Sequence, residues 1–334
     1  MKIAIIRLSS IGDIVLTQPI LYNLKKQYPN SKIYYISKQK YFPLLDCISD
    51  IHKKIPYEKL KKNKLKDLPE FDLIIDLHSK LSTFLIKLKL KANKKITYNK
   101  KHFTRFLIVK KLTDKTIDST LDLYLSALKK IKFNFEFIFP TLKPKNSDKA
   151  KINQLFTDYR VIKKKTIIGL FPGAAHKTKQ YPWQKWVNFI NSVPDNWNCQ
   201  FLILGSNDDK FVATKIKRKT NNTLDMTGAV DLRELVFLID QLDGVISNDS
   251  GPMHIAAALK KPQIALYGAT DTSLGFKPLN EKAIVIESNI PCQPCSLHGS
   301  NYCPKRHFYC MNSISFRIIK ESFQDLLENY IWKL

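Results

Sequence analysis

Apolar positions along this chain switch repeatedly between a continuous run and a helical period. Residues 2–8, KIAIIRL, form the short apolar run of a buried strand, and GDIVLTQPILYNLKKQY then carries apolar residues at helical spacing. Strand passes to helix through Ser9-Ser10-Ile11-Gly12. The same pattern predicts strands over 32–37, 71–77 and 94–99, with helices running to about Leu90 and over 117–131. Residues 133–150 break it with FPTLKPKNSDK, which predicts a linker. It restarts with strands expected at 166–173, 200–206, 244–249, 263–268 and 283–288, and a closing amphipathic helix over 315–332. Such alternation predicts an α/β protein whose parallel sheets are covered on both faces. The expected organisation is two doubly wound domains, 1–150 and 151–314, followed by a closing helix, 315–334. Ligands of such sheets sit at the carboxyl ends of strands, so the cleft between two such halves is the expected site.

A length of 334 residues suits two domains of ordinary size. No run of 18 apolar residues occurs, so no transmembrane helix is expected. The opening MKIAIIRLSSIGD has only four consecutive apolar residues after Lys2 before Arg7, unlike a signal peptide, and a cytoplasmic location is expected.

Charge changes the picture. The formal net charge is +26, and residues 1–150 hold 32 Lys and Arg against 13 Asp and Glu, whereas the remainder holds 23 against 16. A basic N-terminal half points to an anionic partner: nucleic acid, anionic lipid or a phosphorylated substrate. The 48 Lys against 7 Arg fit a compositional bias as well, and Lys is the poorer residue for bidentate recognition. No nucleic-acid motif occurs and aromatic residues are not interleaved with Arg, so nucleic acid is not the expected partner. Lys59, Lys61, Lys62, Lys64, Lys66 and the stretch Lys100, Lys101, His102, Arg105 are expected to face an anionic membrane. Cys47 and Cys199 stand alone and read as small core residues. Cys292, Cys295, Cys303 and Cys310 crowd together, which in a cytosolic chain favours metal or free thiols over disulfides. Four thiolates could close a structural zinc site, with His298 or His307 replacing one; four reduced thiols are the alternative.

Several strand ends carry candidate chemistry. In SSIGD, Ser10 and Gly12 allow close approach to a ligand, and Asp13 is either a reactive carboxylate or a helix cap. No G-x-G-x-x-G is present, so a dinucleotide site has no support. In FPGAAHKTKQYPWQKW, Pro-Gly and two alanines leave open space before Lys177 and Lys179, which suit a phosphate or simply an exposed loop. In LGSNDDK an acid after a strand-end glycine suits ribose hydroxyls or a helix cap. In SNDSGPMHIAAAL, Asp249, Ser250 and Gly251 stand at a helix mouth with His254 one turn on. Free backbone N–H groups and the helix dipole make that mouth a seat for a diphosphate, a buried capping network around Asp249 being the alternative.

IRLSSIGDIVLTQP, FPGAAHKTKQYPWQKW and SNDSGPMHIAAAL…PQIALYGATD occur in the order found in the ADP-heptose:lipopolysaccharide heptosyltransferases, glycosyltransferase family nine, which nearly the whole chain resembles. The resemblance implies a GT-B fold, two Rossmann-like halves facing a central cleft. It implies inverting transfer of heptose from ADP-heptose, without a catalytic cofactor or metal, to a lipid-linked Kdo/heptose core acceptor at the cytoplasmic face of the inner membrane. Carried over by position, it implies Asp13 as general base and Lys179 on the donor phosphate. It places Asp249, Ser250, Gly251 and His254 in the donor-binding D-[ST]-G-x-x-H, Asp209 at the ribose, here Asp rather than Glu, and Val230 near the adenine. Ala174 and Ala175 stand where some members have threonines, which bears on nucleotide-sugar specificity. The competing expectations are a same-fold sugar-nucleotide enzyme with another donor or acceptor, such as an epimerase, and, more remotely, a basic nucleic-acid-binding protein.

Overall fold

The computed structural model describes residues 1–62 and 68–333. Lys64 and Lys66 of the expected basic cluster lie outside the described residues. The chain forms two compact units: Met1–His102 with Asp118–Lys143, and Phe103–Ile117 with Pro144–Leu334. The division expected after residue 150 thus falls at Lys143/Pro144, and residues 103–117 belong with the second unit rather than the first. The reason is local. The Ile117 N–H donates to the Ser273 carbonyl at 2.9 Å, and Ile117 packs where Gly275 lacks a Cβ. Arg105 is buried, with Nε donating to the Leu274 carbonyl at 3.2 Å and its guanidinium carbon 4.7 Å from the Phe276 ring centre. That removes Arg105 from the expected basic surface.

The first unit is built on five parallel strands, β1 (Lys2–Ile6), β2 (Lys32–Ser37), β3 (Ile51–Pro56), β4 (Phe71–Asp76) and β5 (Ala92–Thr97), in the order β3-β2-β1-β4-β5. The central strand is buried beyond Lys2, and Ile5 stands opposite Tyr35 and Ile75. Strand β3 was not expected. It lies at the sheet edge with most residues exposed or half-buried, so it lacks the apolar run that marks the others.

The second unit holds six parallel strands, β6 (Thr166–Phe171), β7 (Cys199–Ile203), β8 (Thr223–Asp225), β9 (Gly244–Asn248), β10 (Gln263–Leu266) and β11 (Ala283–Ile286), in the order β11-β10-β9-β6-β7-β8. The three-residue edge strand β8 also escaped prediction. The closing helix Phe316–Leu326 continues into a π-helical turn, Leu327–Ile331, and belongs to this unit. Its Phe323 ring stands edge-on 5.7 Å from Phe189, in a core that includes Trp186 and Phe201.

Each sheet has one place where the winding reverses. In the first it lies between β1 and β4, in the second between β6 and β9. Helices leave such a pair toward opposite faces, opening a crevice at the strands' carboxyl ends.

Candidate active site

In the second unit, Lys179, Asp249, Ser250, Gly251 and His254 lie after β6 and β9, at the winding reversal, while Asp209 and Val230 follow β7 and β8. Asn248, the last residue of β9, donates through Nδ2 to the Pro172 carbonyl at 2.8 Å, and its Oδ1 accepts from the Tyr181 N–H at 3.1 Å. One amide therefore pins the loop after β6 at both ends. On that loop, Lys179 ends a short 3₁₀ turn, Lys177–Lys179, and its Nζ lies 2.5 Å from Asp249 Oδ2. Thr270 donates to the same oxygen at 2.7 Å. Asp249 is buried, so its charge is matched by Lys179 and the Thr270 hydroxyl rather than by water. Ser250 is the N-cap of the helix Gly251–Ala258, yet its hydroxyl makes no cap bond and is buried without a partner. His254, one turn into the helix, is also buried. The helix mouth thus carries a held ammonium and an unpartnered buried hydroxyl, beside a macrodipole that favours an anion.

Asp209 follows the capping alternative in part. Its Oδ2 accepts from the Ser206 N–H at 2.8 Å and the Ser206 hydroxyl at 2.9 Å. A Cβ on Gly173 would lie 2.0 Å from Asp209 Oδ1, so this glycine is what lets the carboxylate approach the β6 loop that continues into Ala174 and Ala175. The Gly228 N–H donates to the Gly205 carbonyl at 2.9 Å, drawing the turn that carries Val230 against the turn that carries Asp209. Val230 is half-buried.

The cysteine segment buttresses this site. Thr178 donates through N–H and hydroxyl to the Ser300 carbonyl at 3.0 and 2.9 Å, and the Ser300 N–H donates back to the Thr178 hydroxyl at 2.8 Å. Gly299, at φ +87°, leaves no room for a Cβ beside the Lys179 stem. The N–H groups of Cys295 and Ser296 reach the Ala269 carbonyl, next to Thr270. Burial and the neighbouring Cys295 push the Cys310 thiol up to about 12. At Cys303, backbone N–H groups of residues 305–308 outweigh burial and lower the thiol. Cys292 Sγ lies 3.8 Å from His307 Nε2. Among the described residues, however, no group of three or more His, Cys, Asp or Glu side chains could hold a metal ion. Cys303 faces backbone N–H donors and Cys310 is buried, while Cys292, Cys295, Cys303 and Cys310 lie near enough to influence one another's charge.

The first unit has its own station at the β1/β4 reversal. Ser10 caps the short helix Ile11–Val15, and Asp13 completes the capping box, accepting from the Ser10 N–H at 3.1 Å and hydroxyl at 2.8 Å. Asp13 also meets Arg7 Nη2 at 2.5 Å and accepts from the Tyr124 hydroxyl at 3.1 Å. Arg7 is anchored in turn, donating to the Ser9 and Leu77 carbonyls at 2.6 Å each. Burial would raise Asp13, but the guanidinium, Ser10 and Tyr124 outweigh it and hold the carboxyl well below the usual carboxylate range. His78 follows β4, buried, with Nδ1 unpartnered. Burial, then the charges of Arg7, Lys80 and Lys100, push its imidazole down to about 3, so it is neutral. Arg7, Tyr124, His78, Asn248 and Thr270 were missed in the sequence. Arg7, His78 and Asn248 sit at strand ends and were open to notice, whereas Tyr124 and Thr270 are known only by the partners they reach.

Two Rossmann-like sheets, each with polar residues gathered at its winding reversal, place the molecule in the GT-B class. The chain belongs to glycosyltransferase family 9 (heptosyltransferase), whose model matches residues 61–305. It is similar to lipooligosaccharide heptosyltransferase 2 of Haemophilus ducreyi, 27% identical over 319 residues that cover 86% of this chain and 88% of that one. In fold it is similar to the E. coli ADP-heptose LPS heptosyltransferase II, with a TM-score of 0.76 at 21% identity over 98% of both chains. A family 9 glycosyl transferase from Veillonella parvula gives a TM-score of 0.80 at 18% identity, over 98% of this chain and 97% of that one. The protein is therefore a glycosyltransferase.

Proposed function

We propose that this enzyme moves heptose from ADP-heptose to the inner core of lipopolysaccharide or lipooligosaccharide, with inversion at the anomeric carbon and without a catalytic metal. The donor is the one that the similar E. coli protein is named for, and the acceptor class is that of the Haemophilus relative. The observation that carries the reading is the helix mouth at Ser250: a buried, unpartnered hydroxyl beside the Lys179–Asp249 pair. A diphosphate supplies the acceptor atoms that this hydroxyl lacks. Lys179 and the free first-turn N–H groups of Gly251 and Met253 stabilise the charge that builds on the leaving ADP. Asp249 holds Lys179 in place and His254 lines the seat. Asp209 takes the ribose, Ala174 and Ala175 border the sugar, and Val230 borders the adenine. Zinc has no part in this scheme.

In the same proposal Asp13 is the general base, with Ser10 and Gly12 in the close-approach loop. The acceptor hydroxyl oxygen bonds to the anomeric carbon, its proton passes to Asp13, and the bond to the diphosphate oxygen breaks with its electron pair leaving on ADP. A carboxylate held as low as Asp13 is a weak base, which suits a proton released late, when bond formation has made the hydroxyl acidic. The acceptor is lipid-linked, so the enzyme works peripherally at the anionic cytoplasmic face of the inner membrane.

The test is transfer with purified ADP-heptose and heptose-deficient lipopolysaccharide, read by mass spectrometry, with UDP- and GDP-sugars as competing donors. A mass gain of one heptose is expected from ADP-heptose alone. Asp13→Ala is expected to abolish it while ADP affinity stays within a few-fold. Turnover with another nucleotide sugar, or near-normal turnover in the Asp13 variant, would overturn the donor or the base assignment respectively.

A further inference from the structure

The helix Leu81–Lys89, between β4 and β5, is built inside out for a sheet-covering helix. Leu81, Phe84, Leu85 and Leu88 recur at the i, i+3, i+4, i+7 spacing of a buried stripe, yet they are 73%, 49%, 50% and 61% exposed. The residues that meet the sheet are Thr83 and Ile86, with Leu90 just beyond the helix, all buried. At 3.6 residues per turn the exposed stripe points directly away from that buried face. Single exposed apolar residues need no explanation, but four on one helix face form a contiguous patch that marks an interaction surface.

The charge around the stripe selects the partner. Residues 77–101 contain eight Lys and no Asp or Glu. Lys80 and Lys89 stand roughly 90° to either side of the stripe centre, where their stems can lie along an apolar layer while the ammonium groups reach the headgroups. Lys94 and Lys95 add exposed charge on edge strand β5. An apolar stripe bordered by Lys is the pattern of a helix lying in the interface of an anionic bilayer. A second copy of this chain fits poorly, because a two-fold contact would set these lysines against one another.

We propose that Leu81–Lys89 docks the first unit on the anionic surface of a lipid bilayer, with Phe84, Leu85 and Leu88 inserted at the headgroup boundary. Its purpose rests on the lipid-linked acceptor proposed above. Its test does not, since vesicles carry neither donor nor acceptor, and ADP titration of the same variants reports on the donor seat separately.

Full-length protein is sedimented with vesicles of phosphatidylethanolamine and phosphatidylglycerol, and with vesicles of phosphatidylcholine alone. Binding is expected only to the former. F84S/L88S is expected to lower it at least tenfold, and K89E/K94E to lower it and flatten its salt dependence, with ADP affinity and the thermal midpoint unchanged in both. F84W provides a gain of signal: its fluorescence is expected to shift to the blue on anionic vesicles and to be quenched by lipids brominated on the acyl chain. Equal binding by wild type and F84S/L88S would overturn the proposal, as would an unmoved F84W spectrum. So would a wild-type dimer in sedimentation equilibrium that F84S/L88S converts to monomer, which would make the stripe a self-association surface.

Discussion

Asp13 and Lys179 are each held by an opposite charge, and that sets what their variants should do. The folded state depresses the Asp13 carboxyl, so its ionised form persists as pH falls through the usual carboxylate range and is lost only below it. The acid limb of kcat/KM is therefore expected well under about pH 4 in wild type. Arg7→Met removes the dominant opposing charge and leaves burial to act, so the limb is expected to move upward; a pH–rate profile of both proteins checks this. On the donor side, a charge-assisted hydrogen bond to phosphate is worth about 1.5–3 kcal/mol. Lys179→Ala and His254→Ala are each expected to weaken ADP binding about tenfold or more by isothermal titration, and unchanged affinity in both would misplace the diphosphate seat. Asp13, Lys179 and His254 drew attention because each stands in a short distinctive run at a strand end. What the sequence hid is what holds them. Tyr124 reaches Asp13 across 111 positions and Thr270 reaches Asp249 across 21. Strand pattern alone does not say which hydroxyl arrives.

Among the elements, strand identity came from apolar runs, and it failed where burial is one-sided or brief, at β3 and β8. The helix Leu81–Lys89 fails differently. Its period was readable, but a period gives the stripe without saying which side meets the sheet. The cysteine segment is the third case. Spacing drew attention to four thiols, as metal ligands or as free thiols, and did not show that the same segment is a brace, through the reciprocal Thr178–Ser300 bonds and the tight fit of Gly299 on the Lys179 stem. With Cys303 among backbone donors and Cys310 buried, protein purified without a His-tag is expected to carry less than about a tenth of an equivalent of zinc, and its segment thiols to titrate once exposed. Stoichiometric zinc by elemental analysis would mean that the loop closes further around a metal.

For the whole molecule, the sequence yielded the α/β class and two sheets because parallel strands buried on both faces leave long apolar runs. It misplaced the boundary because residues 103–117 carry no mark of the unit they join. The net charge of +26 is expected to give no gel shift with duplex DNA or structured RNA at physiological ionic strength, where a true nucleic-acid binder would still retard its probe. No helix among the described residues is long and apolar enough to cross a membrane. The division of the chain also bears on how it is made. Translation proceeds toward the carboxyl terminus, so residues 1–102 leave the ribosome before a segment, residues 103–117, whose packing partners around Ser273 and Gly275 do not yet exist. While the intervening residues are synthesised, Ile108 and Ile117, both buried in the finished protein, have no core to enter. The nascent chain therefore passes through a stage in which one unit can close while a greasy loop waits on it, a natural point for chaperone capture.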